Sequence, residues 1–352
     1  MVTARMACVL SLGLLGLATG AALAQTEPPP VPAAPAAVQE SAQAAVQEPE
    51  IQVLVSGKRP GPGLWKVSKD GHVMWVVGMY APLPPKMEWD DARVDRLIGQ
   101  SQEVLAPPGA GVGVGVWGGL KALTALPSIV GMIKNPEGAK LRDILPAETY
   151  ARWSVLKDKY LGDNDSVESF RPFFAAQTLM QAGMKKSGLS GGTEVRKQIE
   201  SLAKKRDVKL TQTGFSVQLD DPVGLIKDFK NSQMEDMTCF TKTLKRLESD
   251  IDAARLRANA WANGSIAEIS ELEYAEREDA CNEAVFNSPA AQKHPAFQNM
   301  RERRLASWLK AAERALANNT STVAMLTMSD ILGPKSYLAA LQAKGYTVES
   351  PK

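Results

Sequence analysis

The stretch Trp75-Val-Val-Gly78-Met-Tyr-Ala81-Pro-Leu-Pro84-Pro-Lys-Met-Glu-Trp89 organises the chain around it. Its opening residues end an apolar run with strand character, Gly78 permits a tight turn, and the prolines forbid a helix until Trp89-Asp90-Asp91. A strand that turns and climbs through prolines into a helix is a unit of an α/β protein. The carboxyl end of such a strand is where a metal-dependent hydrolase could place a histidine ligand. Position 81 holds an alanine.

Upstream, Leu64-Trp-Lys-Val-Ser68 and His72-Val-Met-Trp-Val-Val77 read as two strands joined at Lys69-Asp70-Gly71, a hairpin signal. Downstream, Asp90 or Asp91 caps a helix to about Ser101, and Glu103-Val-Leu105 reads as a short buried strand. Gly113, Gly115 and Gly118 match the glycine spacing of a dinucleotide fingerprint. Pro107-Pro108 separates them from the preceding strand and no βαβ unit surrounds them, so the run reads as a small-residue loop feeding an apolar helix from Leu120 to Met132. Lys121 inside that run argues against a membrane span.

Helices are expected from Pro146 to Tyr160, Pro172 to Lys186 and Thr193 to Arg206, followed by strands near Val208 to Gln212 and Phe215 to Leu219. The longest element runs from about Gln233 to Ala262, with Met237, Phe240, Leu244, Leu247, Ile251, Ala254, Ala258 and Trp261 on one apolar face. Asn263-Gly264 ends it, and Ser265 with Glu268 restarts a helix, giving a helical hairpin. The seam is read as packing on its own domain, with a homodimer surface as the alternative. A helix from Pro295 to Asn318 carries Trp308, Leu309 and Leu316 inward and a basic cluster at Arg301, Arg303 and Arg304. That cluster is read as a solvated face, with an anion pocket as the alternative. Strand Thr322 to Leu326, turn Gly333-Pro334, helix Lys335 to Lys344 and strand Tyr346 to Glu349 close the chain. The expected fold is α/β, with α+β as the alternative: a central mixed sheet built from the N- and C-terminal thirds, flanked by helices, with the long hairpin in the middle.

Residues 1–24 read as a secretory signal: Arg5, an apolar run from Ala7 to Leu17, and Ala22-Leu23-Ala24 before Gln25. Cleavage after Ala24 predicts a periplasmic or secreted protein without stable membrane insertion. Residues 25–60, rich in Pro, Ala, Gln and Glu, read as a disordered tether, and residues 61–352 as one domain. Loss of Arg5 lowers the formal charge from +2 to +1, which argues against nucleic acid as a partner. Export also removes Cys8 and leaves Cys239 and Cys281 as a disulfide candidate in an oxidising compartment.

Gly63-Leu64-Trp65-Lys66-Val67, Val77-Gly78, Leu83-Pro84 up to Trp89, and Gly333-Pro334 through Lys344-Gly345-Tyr346-Thr-Val-Glu349 carry a family likeness. Over residues 60–352 the chain resembles the TraB/PrgY/GumN family, which includes bacterial GumN-like proteins and Wnt-inactivating proteases of animals. The resemblance implies a sheet flanked by helices, with two Gly-x-x-His motifs at strand ends that bind a divalent metal. The first motif falls on Gly78-Met79-Tyr80-Ala81 and keeps only its glycine. The second falls on Thr327-Met328-Ser329-Asp330 and keeps neither residue. The family's acidic positions fall on Ala106 and Gln212, with Glu103 coming into play under a shift of three, and its late-helix basic residue falls on Arg301.

A metal that activates water needs about three protein ligands with lone pairs, and an alanine methyl supplies none. The chain has only two histidines, His72 and His294. The resulting expectation is a pseudoenzyme that binds an envelope protein or peptide, with no cofactor. The alternative is a divergent metal-dependent protease or hydrolase using Asp330, Glu103 and His72, for which Arg301 is a further catalytic candidate.

Overall fold

The computed structural model describes residues 59–113, 126–219, 221–232, 236–249, 251–270, 276–332 and 336–351. The segments read as an export signal and as a tether, up to residue 58, together with Gly115, Gly118 and the expected Gly333-Pro334 turn, lie outside these residues.

Strands β1 (Leu64–Lys69) and β2 (His72–Met79) form the expected hairpin, with Lys69 opposite His72. Asp70 and Gly71 both take positive φ, 51° and 86°, as a two-residue hairpin turn with the strands' twist requires. The remaining strands are β3 (Glu103–Leu105), β4 (Ala110–Gly113), β5 (Lys209–Thr211), β6 (Phe215–Gln218), β7 (Ser321–Thr327) and β8 (Thr347–Glu349). Six of them form one mixed sheet in the order β5-β3-β7-β2-β1-β8. The inner strands β2, β7 and β3 run parallel and are covered on both faces, so Met74, Val76, Val77, Val104, Leu105 and Val323 through Leu326 are all buried.

The sheet is α/β as the pattern predicts, but not all of it comes from the terminal thirds: β5, from the middle of the chain, forms one edge. The glycine-rich segment read as a plain loop contains β4, which pairs in parallel with β6. There the side chains of Ser216 and Gln218 lie over Gly111 and Gly113, so close that a Cβ on Gly113 would stand 2.6 Å from the Gln218 amide. Local pattern could not reveal this strand, because its partner is about a hundred residues away in sequence.

The helices that frame the site are α1 (Ala92–Gly99), α2 (Leu126–Ile133), α3 (Ala147–Leu161), α4 (Pro172–Lys186), α5 (Glu194–Lys205), α6 (Pro222–Asn231), α7 (Met237–Ser249), α8 (Ile251–Ala262), α9 (Glu276–Phe286), α10 (Met300–Asn318), α11 (Met328–Leu332) and α12 (Tyr337–Ala343). The expected 233–262 helix is described as α7 and α8, and Phe240, Leu244, Leu247, Ala254, Ala258 and Trp261 of its seam are buried within its own domain. Phe240, Leu244 and Leu247 pack with Trp153, Leu156 and Leu179 in one cluster, while Ala258 and Trp261 enter the core around the sheet. The helix expected from Pro295 begins instead with a 3-10 turn, Pro295–Phe297, and becomes α-helical only after Asn299, whose φ is 52°. Cys239 on α7 and Cys281 on α9 are joined by a disulfide with Cα atoms 4.5 Å apart. No helix among the described residues is long and apolar enough to cross a membrane.

One buried polar joint ties the helices together. Arg171 donates to the carbonyl oxygens of Lys134, Phe229, Lys230 and Ser232, closing the carboxyl end of α6. Nearby, Asp236 accepts the N–H of Phe173 at 3.0 Å, capping the start of α4 from the start of α7. Burial pushes the Asp236 carboxyl above the usual carboxylate range, against the lowering effect of the backbone N–H groups of Phe173 and of Asp236 itself and of the Arg171 charge.

Candidate functional site at the carboxyl edge of the sheet

Because β2, β7, β3 and β5 are parallel, their carboxyl ends share one edge, the side on which open α/β sheets place ligands. Gly78 stands opposite Leu326 and Met79 opposite Thr327, so the two degenerate half-motifs sit side by side on adjacent strands. Gly78 is required there by close packing: a Cβ would lie 2.6 Å from the Trp65 ring and 2.7 Å from Met328 Sδ. Its carbonyl accepts the indole N–H of Trp261 at 2.7 Å, which seats α8 on the strand end. Ala106 is fully buried at the same edge, between backbone bonds to Thr211 and the hydroxyl of Thr213. Gln212 is exposed.

At the first half-site the chain covers itself. After α4, residues 187–193 pass over the exit of β2 as a strap. Ser190 N–H donates to Leu83 O at 2.8 Å, Leu83 N–H donates to Ser190 O at 3.3 Å, and the Ser190 hydroxyl adds a bond to Leu83 O at 3.1 Å. Gly192 lies directly on Ala81: a Cβ there would be 2.3 Å from the Ala81 methyl. Beneath, Tyr80 and Arg257 are both buried, and Arg257 Nε donates to the tyrosine hydroxyl at 3.2 Å.

At the second half-site the carboxylate is already engaged. Asp330, in the first turn of α11, is 6% exposed. Its Oδ1 accepts from Arg304 Nη2 at 2.5 Å and its Oδ2 from the Thr327 hydroxyl at 2.6 Å. Arg304 Nε also donates to the Tyr337 hydroxyl at 3.0 Å, and Tyr337 stacks edge-on against Trp308 at 5.4 Å. Burial raises the Tyr337 phenol above its ordinary value, and the Arg304 charge opposes that. Arg301 is exposed one turn earlier on α10, whereas Arg303 lies over the Phe215 ring and donates to Ala296 O.

The remaining candidates lie at the opposite edge. Glu103 stands opposite Thr322, five residues before Thr327, which at about 3.3 Å per residue separates it from the Asp330 end by roughly 16 Å. Both of its oxygens are taken, Oε2 by Thr211 and Arg314, and Oε1 by Asn319. His72 Nδ1 bonds Asn319 O at 2.7 Å at this same amino edge. His294 faces Asp228, in a separate polar contact. The positions carried over from the family at 78, 81, 106 and 330 therefore converge on one edge, and Glu103 and His72 do not join them.

The donor set at that edge does not suit a divalent metal. Ala81 and Ala106 offer no side-chain lone pair, and Asp330 is committed to a guanidinium and a hydroxyl. Among the described residues no group of three or more His, Cys, Asp or Glu could hold a metal ion. The sequence pattern anticipated neither Arg304 as the partner of Asp330 nor the strap. The only signals were the spacing of Arg301 and Arg304 on one helical face and the glycines at 188, 191 and 192.

A mixed α/β sheet with paired half-motifs at its parallel carboxyl edge defines the class. The family model for the TraB/PrgY/gumN family matches residues 63–350, and the chain belongs to that family. No curated protein and no solved structure matches it.

Proposed function

We propose that this chain is an exported, non-catalytic member of the TraB/PrgY/gumN family that acts by binding or scaffolding in the cell envelope. One observation carries the reading: at adjacent strand ends, the two histidine positions of the family are an alanine packed under Gly192 and an aspartate held by Arg304. Neither offers a metal the free lone pair that activating water requires. The alternative, a divergent hydrolase on Asp330, Glu103 and His72, is disfavoured by the opposite edges those residues occupy.

Elemental analysis of the purified chain lacking residues 1–24 tests this. Less than a tenth of an equivalent of zinc, manganese or cobalt is expected; one tightly bound equivalent per chain would overturn it. Export rests on the sequence of residues 1–24, and the expected amino terminus of the periplasmic protein is Gln25.

A further inference from the structure

Helix α9 has a narrow apolar footing on the rest of the chain. Among its described side chains, those that are buried are Ala280, Cys281 and Ala284, none larger than a cysteine. Asn282 and Glu283 are exposed, and Val285 and Phe286 are half-buried at its very end. Spacings of one, three and four place the three buried residues on one helical face. Cys281 and Ala284 of that face form a small cluster with Cys239 of α7, against which Phe173 of α4 packs.

The elements around α9 have larger anchors of their own. α7 inserts Phe240, Leu244 and Leu247 among Trp153, Leu156 and Leu179. Before α9, Ile269 is buried in the core around the sheet; after it, Ala290 and Ala291 are buried, and Ser288 Oγ accepts the Ala291 N–H at 3.2 Å. Stabilisation by burial scales with the apolar area removed from water, so a face of two alanine methyls beside the bridge gains little. The covalent bond between Cys239 and Cys281 is the strong link between α9 and α7. Breaking it frees one helix between two fixed points and leaves the neighbouring cores intact.

We propose that the Cys239–Cys281 bridge is a redox-sensitive clasp: reduction by a dithiol releases α9 from α7 and uncovers Cys239 and Phe173, while α7 and the sheet keep their structure. One thiolate of the dithiol attacks the sulfur of Cys281, which is 3% exposed where Cys239 has no exposed surface, and forms a mixed disulfide. The Cys239 sulfur leaves as a thiolate and takes up a proton. The second sulfur of the dithiol then closes the reagent's own disulfide, and Cys281 leaves and is protonated in turn. The two cysteines gain two electrons and two protons, which the dithiol loses.

Amide hydrogen exchange on the oxidised chain lacking residues 1–24, before and after treatment with excess dithiothreitol, tests the clasp. Residues 280–286 are expected to exchange at least tenfold faster after reduction, while Phe240 to Leu247 on α7 and Val76 and Val77 in the sheet change by less than about twofold. Reoxidation with oxidised glutathione should restore slow exchange at α9. Alkylation without denaturant should label both cysteines after dithiothreitol and neither before it. Cys239→Ser/Cys281→Ser should exchange at α9 like the reduced chain, with or without dithiothreitol. Unchanged exchange at 280–286 in the fully reduced chain or in the double variant shows that packing holds α9 and overturns the clasp. Equal acceleration at α7 and the sheet overturns it too, since the bridge then supports the whole domain. A bridge that dithiothreitol leaves intact in the folded chain overturns its redox sensitivity. None of these outcomes bears on metal content, so the clasp stands or falls separately from the non-catalytic reading.

Discussion

A Cβ on Gly192 would stand 2.3 Å from the Cβ of Ala81, so a glycine of the strap is matched to the small residue at the end of β2. The space above the Ala81 methyl is taken by another part of the chain, so a larger side chain at position 81 has to contend with the strap.

Ala81→His should lower stability by about 1–3 kcal/mol, the usual cost of overpacking, because the imidazole must displace Gly192. Thermal unfolding with and without added zinc checks this. The same midpoint in both is expected, and a zinc-dependent rise of several degrees would show that the strap yields and a ligand set re-forms.

The strap's two glycines with positive φ, Gly188 and Gly192, should respond unequally to alanine. Gly188→Ala meets open space and should cost about 1–2 kcal/mol for left-handed backbone alone, whereas Gly192→Ala adds a collision with Ala81 and should cost clearly more. Denaturant titration of both variants decides it, and equal losses would contradict the contact.

Asp330→Asn keeps an acceptor for Thr327 but removes the charge that faces Arg304. Arg304 is partly open to solvent, with 39% of its side chain exposed, so the loss should be about 1–2 kcal/mol, below that for a wholly buried pair. Bound metal should be the same in variant and parent by elemental analysis.

Asp236 should make stability depend on pH. Its folded carboxyl is raised, so the folded state holds the proton more tightly, and stability falls as pH rises from the ordinary carboxylate value of about 3.9 through the raised folded value. Asp236→Asn keeps an acceptor for the Phe173 N–H and removes this dependence. Denaturant midpoints should favour the variant at pH 7 and converge with the parent at acid pH.

Cys239 and Cys281, 42 residues apart, should contribute about 2–4 kcal/mol through their bridge. The denatured, unreduced chain lacking residues 1–24 should titrate no free thiol, and Cys281→Ala should unfold at a lower temperature.

Much of this architecture is written locally. Alternating apolar residues on either side of Asp70-Gly71 specify the hairpin, Pro172 starts a helix and Gly188 follows its end, and the heptad-like spacing from Phe240 to Trp261 marks a buried face. These signals work because strand and helix periods depend on neighbours a few residues away. The same local reading shows that position 81 lacks a donor. It could not find β4, whose glycines are covered by Ser216 and Gln218 from a distant strand.

The state of the site was decided only on folding. Glu103 and Asp330 are both acids near strands, and nothing local separates them; the parallel register of β3 with β7 sends one to the amino edge and the other to the carboxyl edge. Arg304 becomes the partner of Asp330 because α10 and α11 meet at that edge, and Gly192 becomes the cover of Ala81 because the chain crosses there between α4 and α5. Composition and spacing determine which side chains exist and which short elements they form. Register and packing determine which of them share a few ångströms, and a ligand position is open or closed at that scale.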